Sequence, residues 1–536
     1  MKISILGVAV VYTRALNMNV FILISFIATI IYLANKYFLS YWSRRNVYQV
    51  EPAFLVGNVG KLLTLKAHMA DIFSDIYFKH KNKKFLGAYL SYKPLLVVND
   101  PVLYQDVMIR DFTTFHDRPT PGEVAETHPL VGNLVNLRGQ KWKNIRTKLS
   151  PTFTSGKLKA MFPIMRDCCI VLQDYMEKNI KNENTVFDLK DLLARMTINI
   201  ISSVGFGVEN DCINEPDNDF RKMGLKLFEP SLRNGLVNAM VFFTPDLITK
   251  FKINPFPTDV TEFMFSVVNQ TVEYREKNNY HRNDFMQLLI ELKNKGYVTA
   301  DKNDEHEIEW KMENKDTKFT MDELTAQAFV FFGAGFETSS STMSFCMFEL
   351  ARNKDIQQKV QDEIDRVMKA AGPNGLTYDL ISEMKYLDCC IDETLRKYPI
   401  IPVIMRLSTK DYKFTGSDVV IEKNTPVFIP IIGMQRDPEI YENPMQFKPE
   451  RFLNSSTGNP NISAGIVYTP FGDGPRNCIG GRLGKLQTKL GLAMILQKFN
   501  FELSDKSLEY GELTFHPNSF VLSPMQSLMY KVSVRN

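Results

Sequence analysis

The feature that most constrains this fold is a long run over residues 326–348 in which Glu337 is the single charged residue. Thr320 and Glu323 precede it with the S/T-x-x-E spacing of a capping box, in which two side chains satisfy the first free amide groups of a helix. A helix that is apolar nearly all round has no face for water and belongs in the centre of a large protein. The run therefore predicts a long central helix around which the rest of the chain packs.

The chain after residue 50 is typical of one mainly helical domain with small β-sheets, an α+β fold. A second helix is predicted over residues 383–398 and must end there, because the residue before Pro399 is kept out of the helical region. Strand-like pieces are short, such as residues 95–98 and 425–430. Long helices with few, short strands therefore predict a helical core flanked by small sheets.

An apolar run over residues 20–39 is long enough for a helix that crosses the bilayer, because twenty helical residues span about 30 Å. A cleaved signal peptide is the less favoured interpretation, since the run is long and no A-x-A site follows it. Three positive charges flank its C-terminal end (Lys36, Arg44 and Arg45), whereas the nearest on the other side is Arg14. The positive-inside rule then predicts an anchor that leaves the rest of the chain in the cytosol.

Residues 1–17 contain a second apolar stretch that is too short to cross a bilayer. Met18 directly precedes the anchor, so we interpret residues 1–17 as an extension or as the product of an upstream start codon. No internal repeat or low-complexity tract is present after residue 50. We therefore predict two parts: residues 1–50, with the extension, the anchor and its basic flank, and residues 51–536, which form one large domain.

Composition and charge exclude several classes of protein. The 64 basic and 60 acidic residues leave a net charge of +4, too small in 536 residues to indicate binding to nucleic acid. The seven cysteines are too scattered for a disulfide framework, and the seven histidines show no zinc-binding spacing. Phosphate-binding loops and G-x-S-x-G elbows are missing as well. These properties are typical of a large, reduced globular protein.

One cysteine stands in an unusual setting: residues 471–480 are F-G-D-G-P-R-N-C-I-G, and a helix-like run follows to residue 499. Amide groups in such a loop, the helix dipole and Arg476 all create positive potential near Cys478. This environment is expected to lower the pKa of the thiol and to favour a thiolate, as a nucleophile or as a metal ligand. Five other cysteines are interpreted as small buried apolar residues: Cys168, Cys169, Cys346, Cys389 and Cys390.

The same loop resembles the signature of the cytochrome P-450 superfamily, F-x-x-G-x-R-x-C-x-G, whose five fixed positions are matched by Phe471, Gly474, Arg476, Cys478 and Gly480. The resemblance implies the cytochrome P-450 fold behind a transmembrane anchor helix. It also implies that Cys478 is the axial thiolate ligand of the iron of haem b, that Phe471 shields the sulfur and that Arg476 pairs with a haem propionate. Thiolate ligation donates electron density to the iron and favours cleavage of dioxygen. The chain most resembles insect microsomal members of family six.

Further motifs follow in the order expected for this family. Residues 334–338, A-G-F-E-T, resemble its A/G-G-x-D/E-T motif, which implies that Glu337 and Thr338 hold water and supply protons for dioxygen activation. Haem-propionate donors and haem contacts are implied at four more positions: Trp142 and Arg146 in a W-x-x-x-R pattern, Arg406, and Arg118 in a more variable loop. These positions together imply the complete outline of a haem site.

A structural cluster is also implied by the resemblance. Glu393 and Arg396 match the family's E-x-x-R pair and share one helix face, since they are three residues apart. Arg451 lies in a match to its P-E-R-F motif. The three residues are expected to form an Arg–Glu–Arg cluster packed under the cysteine loop, and the cluster would serve the architecture rather than catalysis.

The resemblance implies a monooxygenase that inserts one atom of dioxygen into hydrophobic small molecules: xenobiotics such as plant toxins or insecticides, or endogenous lipids or hormones. No nicotinamide or flavin motif is visible, so electrons are expected from NADPH through a separate flavoprotein, NADPH–cytochrome reductase, at the endoplasmic reticulum membrane. Two alternatives stay open. One is a haem-thiolate isomerase or dehydratase, which the Glu337–Thr338 pair disfavours, and the other is a membrane-tethered binder of hydrophobic ligands without turnover.

Two surfaces are predicted by position within the family. A stretch without acidic residues is a predicted docking face for an acidic reductase, and it contains Lys141, Lys143, Arg146, Lys148, Lys157 and Lys159, joined by Arg482, Lys485 and Lys489. Large apolar residues are predicted to line the substrate pocket: Phe112, Phe115, Phe242, Phe243, Phe329, Phe332, Phe336, Val403, Ile404, Phe520 and Val521. Such a lining suits a bulky apolar substrate held by few polar contacts.

Overall fold

The computed structural model describes residues 2–120, 124, 128–228, 231–298, 318–414, 416–453, 468–509, 511–517 and 519–535. Side chains are described within these ranges except at residues 2–16, 238–239, 242–243, 245–246 and 374. The chain is 59% helical and has small sheets, which confirms the predicted mainly helical α+β class.

Helices and short strands alternate along the chain. The helices are α1 (Lys2–Phe38), α2 (Gly60–Leu63), α3 (Met69–His80), α4 (Pro101–Gln105), α5 (Phe112–Phe115), α6 (Gly139–Leu149), α7 (Ser155–Lys181), α8 (Leu189–Ile201), α9 (Asp219–Phe228), α10 (Leu232–Phe243), α11 (Pro245–Phe251), α12 (Thr258–Asn278), α13 (Phe285–Lys295), α14 (Met321–Arg352), α15 (Lys354–Ala371), α16 (Tyr378–Ile381), α17 (Lys385–Lys397), α18 (Ile431–Gln435), α19 (Gly481–Lys498) and α20 (Asp505–Leu508). The strands are β1 (Phe85–Leu90), β2 (Lys93–Val98), β3 (Val186–Asp188), β4 (Ile404–Leu407), β5 (Tyr412–Lys413), β6 (Val420–Ile421), β7 (Pro426–Ile429), β8 (Phe499–Leu503) and β9 (Met529–Val534).

The strands form small sheets in the orders β1-β2-β7-β4, β3-β9-β8 and β5-β6. Strands β2 and β7 pair in parallel. Strand β2 contains the predicted piece 95–98, and β7 covers residues 426–429 of the predicted piece 425–430. The first sheet packs on α3 and α18, and the second packs on α7 and α14. Helix α17 confirms the predicted helix that ends before Pro399, although it is shorter than residues 383–398 at both ends. The sheets therefore lie at the edge of a helical core, as the sequence predicts.

Helix α14 runs through the core and is capped as its sequence predicts. The Glu323 N–H donates to Thr320 Oγ1 at 3.1 Å, and the Thr320 N–H donates to a Glu323 carboxylate oxygen at 2.9 Å. The helix packs against α8, α17 and α19, and Thr197 of α8 donates its hydroxyl to the Phe336 carbonyl at 3.2 Å. Because nearly all its side chains from Leu324 onward are buried, the helix holds the motif that it carries in a fixed orientation.

Helix α1 differs from the predicted span because it continues without a break from Lys2 to Phe38. Its sequence has no proline and a single glycine, so nothing in it ends the helix. In the described part of the chain, one helical stretch is long and apolar enough to cross a membrane, Asn17–Arg45, and its most apolar part is not buried in the protein. Trp42 then enters the domain, where its Nε1 donates to the Ala88 carbonyl at 3.1 Å. The apolar helix is therefore followed by a buried contact with the first sheet.

Candidate functional site

The cysteine loop stands directly before α19 and is closed by its own backbone. The Cys478 N–H donates to the Phe471 carbonyl at 2.7 Å. Two glycines in the loop have left-handed backbone angles, φ +74° at Gly472 and φ +66° at Gly474. A Cβ on Gly474 would lie 2.0 Å from the carbonyl oxygen of Met108, so this position has no room for a side chain.

Replacing Gly474 by Ala is expected to destabilise the folded protein by about 3 kcal/mol, because the new Cβ meets a backbone oxygen at a positive φ. Gly511→Ala is the matched control, since no atom lies within 4 Å of a Cβ there. Urea unfolding of both variants measures the difference in the free energy of unfolding. Equal unfolding midpoints for the two variants would contradict the close approach of the loop to Met108.

Cys478 lines a cavity of about 570 Å³ and keeps accessible surface. Burial raises the pKa of the Cys478 thiol, while the Gly480 N–H, Arg146 and Arg118 oppose this rise. The expected lowering of this pKa is therefore wrong for the protein alone, because removing the sulfur from water outweighs the loop amide and the two cations. A metal ion changes the balance, since a coordinating thiol is deprotonated outright.

Three arginines converge on the same cavity: Arg118, Arg406 and Arg476. Burial and the charge of Arg118 lower the pKa of Arg406 to about 9. Burial and the charges of Arg118 and Arg406 lower the pKa of Arg476 to about 8. The guanidinium of Arg476 also lies over the Trp142 ring, 4.7 Å from its centroid. The structure thus brings together four residues that the sequence assigns to haem binding.

Arg118, Arg406 and Arg476, which we call the arginine wall, present donors that fit a ligand with two carboxylates. The Nε atoms of Arg406 and Arg476 are buried without a hydrogen-bond partner, and Asp117 contributes one carboxylate, 3.5 Å from Arg476. Buried like charges repel one another, so an anionic partner is needed to compensate them. The two propionates of haem would supply that charge, and Cys478 on the same cavity would supply the iron ligand. The residues present therefore fit haem b.

Arg146 and Phe471 border the same cavity beside the cysteine. Arg146 donates from Nη1 to the Asn477 carbonyl at 2.8 Å and from Nη2 to Asn477 Oδ1 at 2.7 Å, so it holds the residue next to Cys478. A Cβ on Gly481 would lie 3.3 Å from the Phe471 ring, which packs against the start of α19. Their haem roles stay predictions. The sequence reasoning missed Asn477, although its position directly before the cysteine was a usable signal.

The predicted acid–alcohol pair of α14 is divided between two environments. Thr338 lines the cavity and donates its hydroxyl to the Ala334 carbonyl at 2.7 Å. Glu337 is not among the cavity's described lining residues, because adjacent residues on a helix point about 100° apart. Its carboxylate accepts from Ser341 Oγ at 3.3 Å. Burial raises the pKa of Glu337, and the charge of Lys190 opposes that rise.

The predicted Arg–Glu–Arg residues are in contact. Arg396 donates from Nε and Nη2 to the two Glu393 carboxylate oxygens at 2.7 and 2.9 Å, and Arg451 Nε donates to the same carboxylate at 3.3 Å. The side chains of Glu393 and Arg396 are fully buried. Gln435 joins this cluster to the start of the cysteine loop, because its amide donates to the Arg396 carbonyl at 3.0 Å while its Oε1 accepts from the Thr469 N–H at 3.3 Å. The sequence reasoning missed Gln435, and no local pattern marks it.

The family model of cytochrome P450 matches residues 49–528 of the chain. The chain belongs to the cytochrome P450 family. It is 39% identical to the probable cytochrome P450 6a14 of Drosophila melanogaster, over 92% of this chain and 95% of that relative. It is 37% identical to cytochrome P450 6k1 of Blattella germanica, over 93% and 97%, and 38% identical to cytochrome P450 6A1 of Musca domestica, over 92% and 93%. The predicted family, the haem-thiolate monooxygenase class and the haem cofactor are thereby confirmed.

The substrate side of the P450 cavity is only partly as predicted. Five predicted residues line it: Phe329, Val403, Ile404, Phe520 and Val521. Four others pack elsewhere in the interior, Phe112, Phe115, Phe332 and Phe336, and the side chains of Phe242 and Phe243 lie outside the described residues. The sequence reasoning missed Phe228 and Phe256, which line the cavity, and Phe256 packs edge-to-face on Phe329 at 4.7 Å.

The predicted basic face of this P450 is smaller than its sequence indicates. Lys148 and Lys489 are buried, so they are not available to a partner protein. Lys489 and Lys485 reach Asp388 and Asp392, and Lys159 reaches Asp379, so three cations of the stretch face acidic neighbours from other helices. Of the other five cations, Arg146 holds Asn477 at the cysteine loop. We call the remaining four, Lys141, Lys143, Lys157 and Arg482, the basic face. Aspartates distant in sequence reduced the charge that the linear pattern predicted.

Proposed function

We propose that this P450 is a microsomal monooxygenase of bulky apolar small molecules, in particular of foreign compounds such as plant toxins and insecticides. The observation that carries the proposal is that Cys478 and Thr338 line one cavity whose other lining residues are largely apolar. A wall with few polar groups selects substrates by size and hydrophobicity rather than by a fixed pattern of hydrogen bonds. Such a cavity suits a range of lipophilic compounds.

The chain's own residues would hold the cofactor and exclude water from it. The Cys478 sulfur would ligate the haem iron, while Arg118, Arg406 and Arg476 would receive the propionates. When bound, the haem supplies the activation of dioxygen and the transfer of one oxygen atom to the substrate. Phe471 shields the sulfur side, and apolar residues such as Phe329 and Val521 keep the substrate side dry. The substrate is thus oriented by shape against a fixed reaction centre.

Thr338 is the residue that we propose for proton delivery. Its hydroxyl hydrogen is used within α14, so its lone pairs are free to accept a hydrogen bond from a water in the cavity. The hydroxyl turns and gives its proton to the reacting oxygen in the cavity while the same Thr338 oxygen takes a proton from the water, so that the water, and not Thr338, ends one proton short. Glu337 is the preceding residue of α14 and is not among the residues that line the cavity. It serves as the proton reservoir, because its raised pKa lets the carboxyl hold a proton at a higher pH than a free glutamate does.

Replacing Thr338 by Val removes the hydroxyl with little change in shape. We expect product formed per NADPH consumed to fall by about 10²-fold, because positioned proton transfer contributes rates of this order. NADPH consumption itself should continue and end in peroxide or water. Thr325→Val is the control, since Thr325 is buried on the same helix and is not among the residues that line the cavity. Normal coupling in Thr338→Val would remove this residue from the proton path.

The experiment that tests the function uses microsomes containing the protein, a reductase and NADPH, incubated with a panel of lipophilic compounds. We expect oxygenated products whose formation requires both NADPH and dioxygen. Turnover without NADPH would support an isomerase or dehydratase. Substrate-induced spectral change without any product would support a ligand binder instead.

We also propose that the electron donor is NADPH–cytochrome reductase and that it docks on the basic face. The charge-reversal variant Lys141→Glu with Arg482→Glu is expected to lower reductase-supported turnover about tenfold at low salt, since steering by charge changes association rates on this scale. The loss should shrink at high salt. Lys506→Glu, an exposed site on α20, is the control. Turnover that is unaffected by the double reversal at every ionic strength would refute docking at this face.

The location that we propose is the endoplasmic reticulum membrane, with the catalytic domain in the cytosol. The supporting observations are the apolar helix that ends near Arg45 and the excess of positive charge at that end. We further propose that residues 1–50 form the anchoring part and residues 51–536 the haem-thiolate catalytic domain. Protease added to sealed microsomes should digest the catalytic domain, and protection of the domain would reverse the proposed orientation.

A further inference from the structure

One buried side chain next to the reaction centre has a polar atom that the protein does not satisfy. Gln487 lies on α19, its side chain is fully buried, and it lines the same cavity as Thr338. Its Nε2 donates to the Gly335 carbonyl of α14 at 3.4 Å, while its Oε1 is buried without a hydrogen-bond partner. Since a carbonyl oxygen only accepts, the NH2 group must face Gly335, and this fixes the position of Oε1.

Two other buried glutamines, Gln357 and Gln327, are satisfied at both ends of the side-chain amide. The Oε1 of Gln357 accepts from the Phe501 N–H at 3.1 Å, and its Nε2 donates to the carbonyls of Leu350 and Phe501. Gln327 likewise accepts from the Leu134 N–H at 2.9 Å and donates to two carbonyls. Among the glutamines that the structure describes, Gln487 is the one with an unpartnered buried side-chain atom. A buried acceptor of this kind is normally satisfied by an ordered water.

The surroundings of Gln487 are polar enough to hold such a water. Thr338, Ser339, Thr342 and Thr488 all line the cavity together with Gln487. Thr342 donates its hydroxyl to the Thr338 carbonyl at 2.7 Å, so both threonines keep lone pairs as acceptors. A water that donates one hydrogen to the Gln487 oxygen can donate its second hydrogen to a threonine oxygen. Ordered waters in proteins make two to four such bonds.

Helices α14 and α19 also approach closely here. A Cβ on Gly484 would lie 3.9 Å from Ser339 Oγ, and a Cβ on Gly335 would lie 2.5 Å from Ile201 on α8. Gly335 is therefore held between α8 and α19, and its carbonyl is available to Gln487. This contact connects the helix that follows Cys478 to the helix that carries Thr338.

We propose that Gln487 is a positioning residue for proton delivery, and that its amide oxygen holds a water beside Thr338 at the junction of α14 and α19. The inference rests on the proposed role of Thr338 in the monooxygenase reaction. Gln487 does not transfer a proton itself, because a neutral amide is neither an acid nor a base at physiological pH. It fixes the water from which the Thr338 hydroxyl draws its proton.

The test replaces Gln487 by Met, which has a similar length and no hydrogen-bonding amide. We expect Gln487→Met to retain haem and the absorbance band of the reduced carbon-monoxide complex, while product per NADPH falls roughly tenfold, as for other residues that orient a reacting group. The solvent deuterium isotope effect on this ratio should also change, because the proton donor is altered. The matched control, Gln357→Met on α15, should lower the unfolding temperature and leave both quantities unchanged.

Two results would overturn the proposal. One is a Gln487→Met protein whose coupling and isotope effect equal those of the wild type. The other is a high-resolution crystal structure of the wild-type holoprotein in which Gln487 Oε1 accepts from a protein donor or has no water within hydrogen-bond distance, a measurement that stands even if the variant does not fold. The wild-type protein separates this inference from the proposed function, since absence of NADPH-dependent turnover there would refute the function itself.

Discussion

Cys478→Ala is expected to abolish the absorbance band of the reduced carbon-monoxide complex and to lower product formation by at least about 10³-fold. The reason is that Cys478 is the one cysteine among the described residues that line the cavity, together with Arg118, Arg406 and Arg476. Alanine removes the sulfur and leaves the loop backbone free to keep its hydrogen bond from residue 478 to the Phe471 carbonyl. A difference spectrum and NADPH-dependent turnover measure both effects.

Cys168→Ala is the control for this change. Cys168 lies half-buried on α7 and does not line the cavity, so its loss should leave the band and the turnover intact. Cys478→Ser is a sharper variant, because it keeps the size of the side chain and exchanges the thiol for an alcohol. A protein with alanine or serine at residue 478 that kept the wild-type band would refute the ligand assignment and the mechanism built on it.

Arg396→Met is expected to lower the free energy of unfolding by about 3–5 kcal/mol, because it leaves the buried Glu393 carboxylate without its bidentate partner. Arg396 also donates to the carbonyls of Gln435 and Pro444, at 2.8 and 2.6 Å, and these acceptors would lose their partner. Since Gln435 accepts from the Thr469 N–H near the cysteine loop, haem retention should fall with stability. Urea unfolding and the ratio of haem to protein measure both quantities.

Two comparisons isolate the buried charge as the cause. Lys413→Met breaks an ion pair of 2.9 Å with Asp418 that is exposed to water, and it should leave the unfolding midpoint unchanged. The double variant Glu393→Gln with Arg396→Met removes the buried carboxylate as well, so it should be less destabilised than Arg396→Met alone. A double variant that is more destabilised than the single one would show that the stranded charge is not the main cost.

Local patterns in the sequence predicted the features that depend on residues close in the chain. The capping box at Thr320 and Glu323 predicted the start of α14, and Pro399 predicted the end of α17. Length and hydropathy predict a membrane-spanning helix over residues 20–39, but α1 begins earlier, at Lys2, because no proline precedes residue 20. The cysteine loop could be recognised because its glycines, arginine and cysteine stand at fixed spacing in one short segment.

Features that depend on burial were decided by the tertiary structure. The linear pattern predicted a low pKa for the Cys478 thiol, but desolvation in the folded cavity raises it. Glu337 and Thr338 are neighbours in sequence and face different surroundings, because α8 and the cavity lie on different sides of α14. Lys489 is a surface cation by composition, yet the fold buries it beside Asp388.

The sequence by itself determined the family, the central helix and the apolar N-terminal helix, and it predicted Cys478 as the haem ligand, since each depends on residue types close together in the chain. Only the tertiary structure decided which charges are compensated, which phenylalanines reach the cavity and which amides keep a free oxygen. Gln435, Asn477 and Gln487 illustrate the difference. Their partners come from other helices or loops, and neither solvation nor hydrogen-bond satisfaction is known until those segments pack together.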